Sequence, residues 1–300
     1  MQKQRSWSGY LYILPALVIV GVFTIYPLIR VFLMSAYEGY DFSSGTVKGY
    51  GLENFRYLVQ DGVFHQALAH TFLYVLVVTP VAVGLSLLLA VALNSNIRLR
   101  GLFQTIYFLP YVTSIVAMGI VWSWIFHSGY GIVNYVLGLL GITPVQWLND
   151  PVMAMPTLIL FSIWKGLAFN IVIFLAGLQN IDPQYYQAAR VDVTPKHRVF
   201  FRITVPLLSP MIAYAVVIEM INSFKVYTEI YALFGGHAGP ANSAVTVVYY
   251  IYDQFYGNWN FGVASAAAVV LFVIILAFTL LQLRVARRRV FYQQGKESGT

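Results

Sequence analysis

The chain has no cysteine, few charges and no nucleotide-binding loop, and each shortage excludes a class of function. With no Cys among 300 residues, disulfide frameworks, thiolate metal sites and cysteine nucleophiles are ruled out together. Charged residues make up 10% of the sequence, against about 25% in a soluble domain. A chain so poor in charge cannot cover a water-facing surface. The motif G-x-x-x-x-G-K-S/T does not occur, and Gly295-Lys296 stands isolated in a polar tail, so the chain carries no phosphate-binding loop. What is abundant is apolar: 59% of the residues are hydrophobic. That balance marks an integral membrane protein.

A helix crosses a bilayer with about 20 consecutive apolar residues. Six segments qualify, about 10–32, 71–93, 104–126, 152–178, 205–234 and 261–283. The expected fold is all-α, a polytopic membrane protein with six transmembrane helices in a single domain over 1–300. The stretch Met1–Ser8, with Lys3 and Arg5, resembles a signal-peptide n-region. No small-residue cleavage site follows it, so an uncleaved first span is expected. Prolines 15, 27, 80 and 110 fall inside spans and predict kinked helices.

Charge placement sets the orientation. Of the 18 Lys and Arg, thirteen fall in the N-terminal segment, the loops after the second and fourth spans, and the C-terminal tail. They are Lys3, Arg5, Arg98, Arg100, Arg190, Lys196, Arg198, Arg202, Arg284, Arg287, Arg288, Arg289 and Lys296. Only Lys48 and Arg56 lie in the other loops; Arg30, Lys165 and Lys225 lie within spans. The positive-inside rule then predicts that both termini are cytoplasmic.

The loop after the fourth span is the most informative. Asp182-Pro183 reads as an N-cap with proline at the first helical position, and Thr194-Pro195 repeats that signal. Two short helices follow, about 183–191 and 195–204, with a sharp turn at Asp192-Val193. On the residues alone, the segment is either an interfacial connector whose cations meet headgroups or a knob that docks a soluble partner. The pattern Gln187-Ala-Ala-x-x-Asp192, then Phe200, Ile203-Thr and Pro206-Leu-Leu-x-Pro, resembles the EAA loop of binding-protein-dependent ATP-binding-cassette importers. Ala176-Gly-Leu-Gln-Asn-Ile, Phe224-Lys-Val-Tyr, Gly235-Gly, Gly239-Pro-Ala-Asn-Ser and Phe108-Leu-Pro-Tyr-Val-Thr-Ser resemble the sugar-importer branch, and the likeness covers about 10–290.

The resemblance implies a permease subunit, not an enzyme, in a prokaryotic cytoplasmic (inner) membrane. It implies a second homologous permease subunit, two ATPase subunits, an extracytoplasmic solute-binding protein and a carbohydrate substrate. No cofactor is expected on this chain; ATP and Mg would be used by the partner ATPase. The coupling loop would be 182–204, with Tyr186, Gln187, Ala188, Ala189, Asp192, Val193 and Lys196 meeting the ATPase. Two residues depart from the family pattern: Gln187 replaces the usual glutamate, and Val193 the usual glycine. Valine disfavours φ > 0, so either the turn avoids that region or its geometry differs from the family's.

The fifth span carries Glu219, Asn222, Lys225 and Glu229, which on one continuous helix fall within roughly 120° of each other. A charge at mid-membrane costs about 2.5–3.5 kcal/mol on insertion scales, so this stripe must face protein or water. With Lys165 in the fourth span, it forms either an interhelical ion-pair network or the wall of a hydrated cavity for a polar solute. In the second case Asn222, Lys225, Glu219, Glu229 and Lys165 would meet hydroxyls, and Trp164, Phe169 and Tyr227 would stack on sugar faces. The five histidines are scattered, so no metal site is expected, and no nucleic-acid motif accompanies the basic tail. Two rivals remain: an ion-coupled secondary transporter with Glu219 or Glu229 as proton carrier, and a membrane-embedded enzyme. Importers of glycerol phosphate and other polyols share the resemblance.

Overall fold

A computed structural model describes residues 8–41, 43–95 and 100–289. Lys3, Arg5, Arg98 and Lys296, counted above for orientation, lie outside the described residues. The chain is predominantly helical and divides into two compact units. One holds the described residues up to His65 together with Tyr250–Val273; the other holds Gln66–Tyr249 and the described residues from Ile274 onward.

In the first unit, α1 (Ser8–Val20) passes through one π-helical turn into α2 (Tyr26–Ser35). The span Tyr12–Ser35 has 24 residues, long enough for a hydrocarbon core of about 30 Å. Apart from Arg30 it is predominantly apolar around its circumference, as expected of a helix that meets lipid or another apolar surface. A short antiparallel pair follows, β1 (Tyr37–Glu38) with β2 (Gly49–Tyr50). Asn54 in α3 (Glu53–Gln60) ties this pair to α2: its amide donates to the carbonyls of Ser35 at 3.0 Å and Tyr37 at 2.9 Å. Asp61 caps the next helix by accepting from the amide of Val63, and its other oxygen accepts from the Tyr250 hydroxyl at 2.5 Å. Burial first, and the Asp61 carboxylate second, hold that hydroxyl protonated well above the ordinary tyrosine range.

The second unit is built on α4 (Gly62–Leu93) and α8 (Pro151–Gln179), two long apolar helices. Val83, Leu87, Ala90 and Leu93 recur at three- and four-residue intervals on α4 and form one stripe. They meet Ile171, Phe174, Leu175 and Leu178 of α8, with Leu208 and Ala215, in a single buried cluster. Asp150 caps α8 by accepting from the amide of Val152, with proline at the first helical position. The connector before α8 is knitted by Asn134 in α7 (Ile132–Leu139). Its amide donates to the carbonyls of Ser128 and Val145 and accepts from the Val145 amide and the Trp147 indole, so both ends are satisfied.

Among the described residues, four helices are long and apolar enough to cross a membrane, or up to six spans if each bent pair is one span. The third expected span is interrupted. α5 (Arg100–Val112) and α6 (Ile115–Ile125) meet at 114°. Ser114 leaves the helical region, and the Thr113 hydroxyl turns back to the Leu109 carbonyl at 2.8 Å. The fifth expected span, 205–234, is broken twice. After α10 (Lys196–Val199) and α11 (Val205–Leu207), the chain turns at Leu208 by 71° into α12 (Ser209–Phe224). It breaks again at Lys225 before α13 (Thr228–Leu233), where Tyr227 takes φ −150 and ψ −54. The freed Val226 carbonyl accepts from the buried Thr246 hydroxyl at 2.9 Å, so the break leaves that group satisfied.

Candidate functional site

The break at Lys225 shapes the candidate site. α13 lies against α6 so closely that a Cβ on Gly119 would fall 2.4 Å from the Cβ of Ala232. Only glycine permits that approach. A cavity of about 590 Å³ opens where α8, α12 and α13 converge, its wall including Tyr74 of α4, Tyr111 of α5 and Ile115 of α6.

Of the eight residues expected to meet solute, the structure brings six to this wall: Lys165, Phe169, Glu219, Asn222, Lys225 and Glu229. Lys165 and Glu229 form an ion pair at 2.5 Å that links α8 to α13. Glu219 is buried, and one of its oxygens accepts from the Asn170 amide at 3.0 Å. Gly166 makes room for that carboxylate, since a Cβ there would stand 2.9 Å from Glu219 Oε1. Asn222 and Lys225 are exposed, and among the described residues neither side chain has a hydrogen-bonding or ionic partner. Phe169 stacks on Tyr111, ring centroids 5.7 Å apart and planes 22° from parallel.

Two expected residues stand outside the cavity wall. Trp164 belongs to an aromatic cluster with Trp122 at 5.0 Å and Phe161 at 6.2 Å. Tyr227 stands beside Tyr231 and Tyr249. The continuous helical wheel also needs correction. Glu219 and Asn222 share α12 and Lys225 caps its C-terminal end, but Glu229 sits on α13 and reaches the same cavity because the helix breaks, not because of a 100° step. Asn170, Gly166 and Tyr111 were missed. The signal for Asn170 was present, an amide inside an otherwise apolar run.

The segment after α8 forms a protruding pair of short helices. α9 (Pro183–Val191) begins where the Asp182-Pro183 signal places it, with Asp182 accepting from the Gln184 amide at 2.9 Å. It ends in a paired C-terminal closure: the Thr194 amide reaches the Ala189 carbonyl at 2.9 Å and the Val193 amide the Arg190 carbonyl at 3.1 Å. That closure requires a left-handed residue, and Val193 supplies it at φ 50. The valine therefore adopts the region it disfavours. Of the alanine pair, Ala188 is exposed but Ala189 is buried, so only one of the two faces outward.

Gln187, Asp192, Val193 and Lys196 are exposed; Tyr186 is half-buried, its hydroxyl 3.2 Å from that of Thr204. The second helix of the pair begins at Lys196 and runs through a π-helical turn at Phe200–Thr204 into Val205–Leu207. Tyr186, Gln187, Ala189 and Lys196 border a groove of about 670 Å³ that reaches Val91 of α4.

Residues 82–290 match the family described as binding-protein-dependent transport system inner membrane component. The chain is 35% identical to the lactose transport system permease protein of Rhizobium radiobacter, across 96% of this chain and 97% of that one. It is 31% identical to the trehalose/maltose transport system permease protein of Thermococcus litoralis, across 96% and 97% of the two chains. An sn-glycerol-3-phosphate transport system permease protein of Pectobacterium atrosepticum is 30% identical, across 97% of each. Among solved structures, a chain of a bacterial ABC transporter involved in the import of the acidic polysaccharide alginate superposes with a TM-score of 0.84. The two share 26% identity over 95% of this chain and 96% of that one.

Proposed function

The chain belongs to the family of inner membrane components of binding-protein-dependent transport systems, and we propose that its cavity at α8, α12 and α13 is part of the path of a sugar or oligosaccharide. The protein is a permease subunit of an ATP-driven importer and not an enzyme. Six spans with both termini in the cytoplasm agree with the charge asymmetry of the sequence, and the membrane would be the inner membrane of a prokaryote. The partners would be a second permease, two ATPase subunits that use ATP and Mg, and an extracytoplasmic binding protein that delivers the solute.

The observation that carries the solute path is the pair Asn222 and Lys225, exposed and without a partner among the described residues, beside the stacked Phe169 and Tyr111. Hydroxyls need amide or ammonium partners, and sugar faces stack on aromatic rings. Asn222 and Lys225 would take the hydroxyls and Phe169 the ring face. Glu219, Glu229 and Lys165 would hold the wall, while Trp164 and Tyr227 support it from behind.

The knob at 182–204 would seat in the ATPase. Tyr186 and Ala189 would brace it from inside; Gln187, Ala188, Asp192, Val193 and Lys196 would make contact. Closure of the ATPase pair would then move α9 and its neighbour as one body and swing α12 and α13. ATP binding drives this only through unequal affinity for the two conformations.

Purification in gentle detergent, with the co-purifying subunits weighed, tests the assembly. An ATPase and a second permease should appear in the same particle; a chain that purifies alone yet transports after reconstitution would overturn the importer assembly. Because the sequence has no cysteine, Val193→Cys gives a single thiol, which should cross-link to the ATPase.

A further inference from the structure

The wall of the cavity at α8, α12 and α13 carries four acidic or basic side chains, Lys165, Glu219, Lys225 and Glu229, and they are not equally available. Glu229 is closed off by Lys165 at 2.5 Å. Glu219 is buried, bonded to Asn170 and lodged in the space left by Gly166. Lys225 alone of the four is both exposed to the cavity and without a carboxylate within 4.0 Å among the described residues. Formal neutrality of the four therefore hides a local excess of positive charge where a solute would sit.

From this arrangement we infer that the solute is an anionic saccharide or polyol, and that Lys225 is the specificity-determining residue that pairs with its carboxylate, sulfonate or phosphate. The inference rests on the reading of the cavity as the solute path. A neutral sugar would be served by Asn222, Ser223 and Thr228, which share the wall; amide and hydroxyl groups satisfy hydroxyls without a fixed charge. A bare ammonium within an apolar chain is expensive, and such residues are usually paired or functional.

Lys225 caps the C-terminus of α12, which offsets part of its charge. A helix end offers about half a negative charge, so a mobile anion has room to complete the balance. Glu219 does not oppose this. It lies six residues earlier on α12, about 9 Å along the axis, and its oxygen is already engaged by Asn170. Asn222, one turn before Lys225, would accept and donate to the hydroxyl next to the acid group.

Matched neutral and anionic probes test the inference on the assembled importer in nanodiscs: galactose with galacturonate, and glycerol with glycerol 3-phosphate. Binding is read by equilibrium dialysis of the labelled compounds at neutral pH and low salt. The anionic member of each pair should bind about tenfold more tightly or better, as a charge-assisted contact allows. Lys225→Met should abolish the preference and Lys225→Arg keep it, with ATPase co-purification unchanged in both.

If each pair binds equally and Asn222→Ala weakens both members, the cavity is the solute path and the anionic assignment is wrong. If neither Asn222→Ala nor Lys225→Met alters binding of any probe, the cavity reading fails and the inference falls with it. An anionic preference that survives Lys225→Met places the anion elsewhere and overturns the role of Lys225. Failure of all four probes to bind counts against the assignment as well.

Discussion

Two apolar stretches of this chain are punctuated in opposite ways. α4 carries Pro80 in its middle and still runs for 32 residues without a break. The stretch from Ser209 to Leu233 has no proline between Pro210 and its end, yet α12 stops at Phe224 and α13 begins at Thr228. Proline removes one backbone donor and crowds the preceding turn, but Pro80 is on an exposed side of α4, and the helix continues through it. At Lys225 the cause lies outside the segment: the Thr246 hydroxyl donates to the Val226 carbonyl, and the ion pair with Lys165 anchors Glu229 on the far side. A break in an apolar helix is decided by who satisfies the freed groups. The knob teaches the same lesson, since Val193 turns left-handed where glycine is the easy choice.

The comparison can be broken at several points. The largest effect is expected at the seam that holds α13 in its displaced position. Gly119→Val should force α6 and α13 apart and destabilise the protein by about 3 kcal/mol or more, read as a large drop in the thermal unfolding temperature of the purified complex. A well-folded Gly119→Val would mean that the close approach does not hold the break.

Next comes the ion pair. Lys165→Met and Glu229→Gln should each impair transport, and their double-mutant cycle should show a coupling of about 1–2 kcal/mol in unfolding. Lys165 is about 39% exposed, which keeps the figure below that of a fully buried pair. Additive effects would show that the pair is not what anchors α13.

Val193→Gly should stabilise the knob by about 1 kcal/mol by releasing the left-handed strain. The readout is the amide of Thr194, whose exchange should slow about fivefold; unchanged exchange would mean the strain is absorbed elsewhere. Pro80→Ala should change stability by less than about 1 kcal/mol, a small effect because α4 already runs through that position. A large loss would show that α4 depends on the proline ring at that position.

The smallest effect belongs to a turn outside the membrane. The Asp41 carboxyl is lowered from 3.8 to about 2, first by the hydroxyls of Ser43 and Ser44 and then by the Ser43 amide. A lowered carboxyl contributes stability above its unfolded value and loses it as pH falls through the folded one. The turn should therefore hold above about pH 4 and loosen between 4 and 2, followed by the Ser43 amide shift. Asp41→Asn should flatten that titration.

Part of the candidate site was legible in the sequence and part was not. Glu219, Asn222, Lys225, Glu229 and Lys165 stood out because charges and amides in apolar runs are costly, and all five reach one cavity. Trp164 and Tyr227 were expected there because aromatics suit sugars, but residue type does not say which way a ring faces. Asn170 carried a signal, an amide in a span; its partner Glu219 is 49 residues away and no local pattern joins them. On the knob, Asp182-Pro183 fixed the start of α9, whereas the burial of Ala189 and the left-handed Val193 depended on how the two short helices close on each other.

Composition by itself determined that this is a helical membrane protein, because apolar length and charge scarcity act residue by residue. The Asp182-Pro183 cap signal, likewise local, set the start of α9. Only the tertiary structure decided where the third and fifth apolar stretches bend, which cation is paired and which stands free, and which alanine of the knob is covered. Those outcomes depend on groups brought from distant parts of the chain to satisfy a carbonyl, neutralise a charge or fill a space. No window of neighbouring residues contains them.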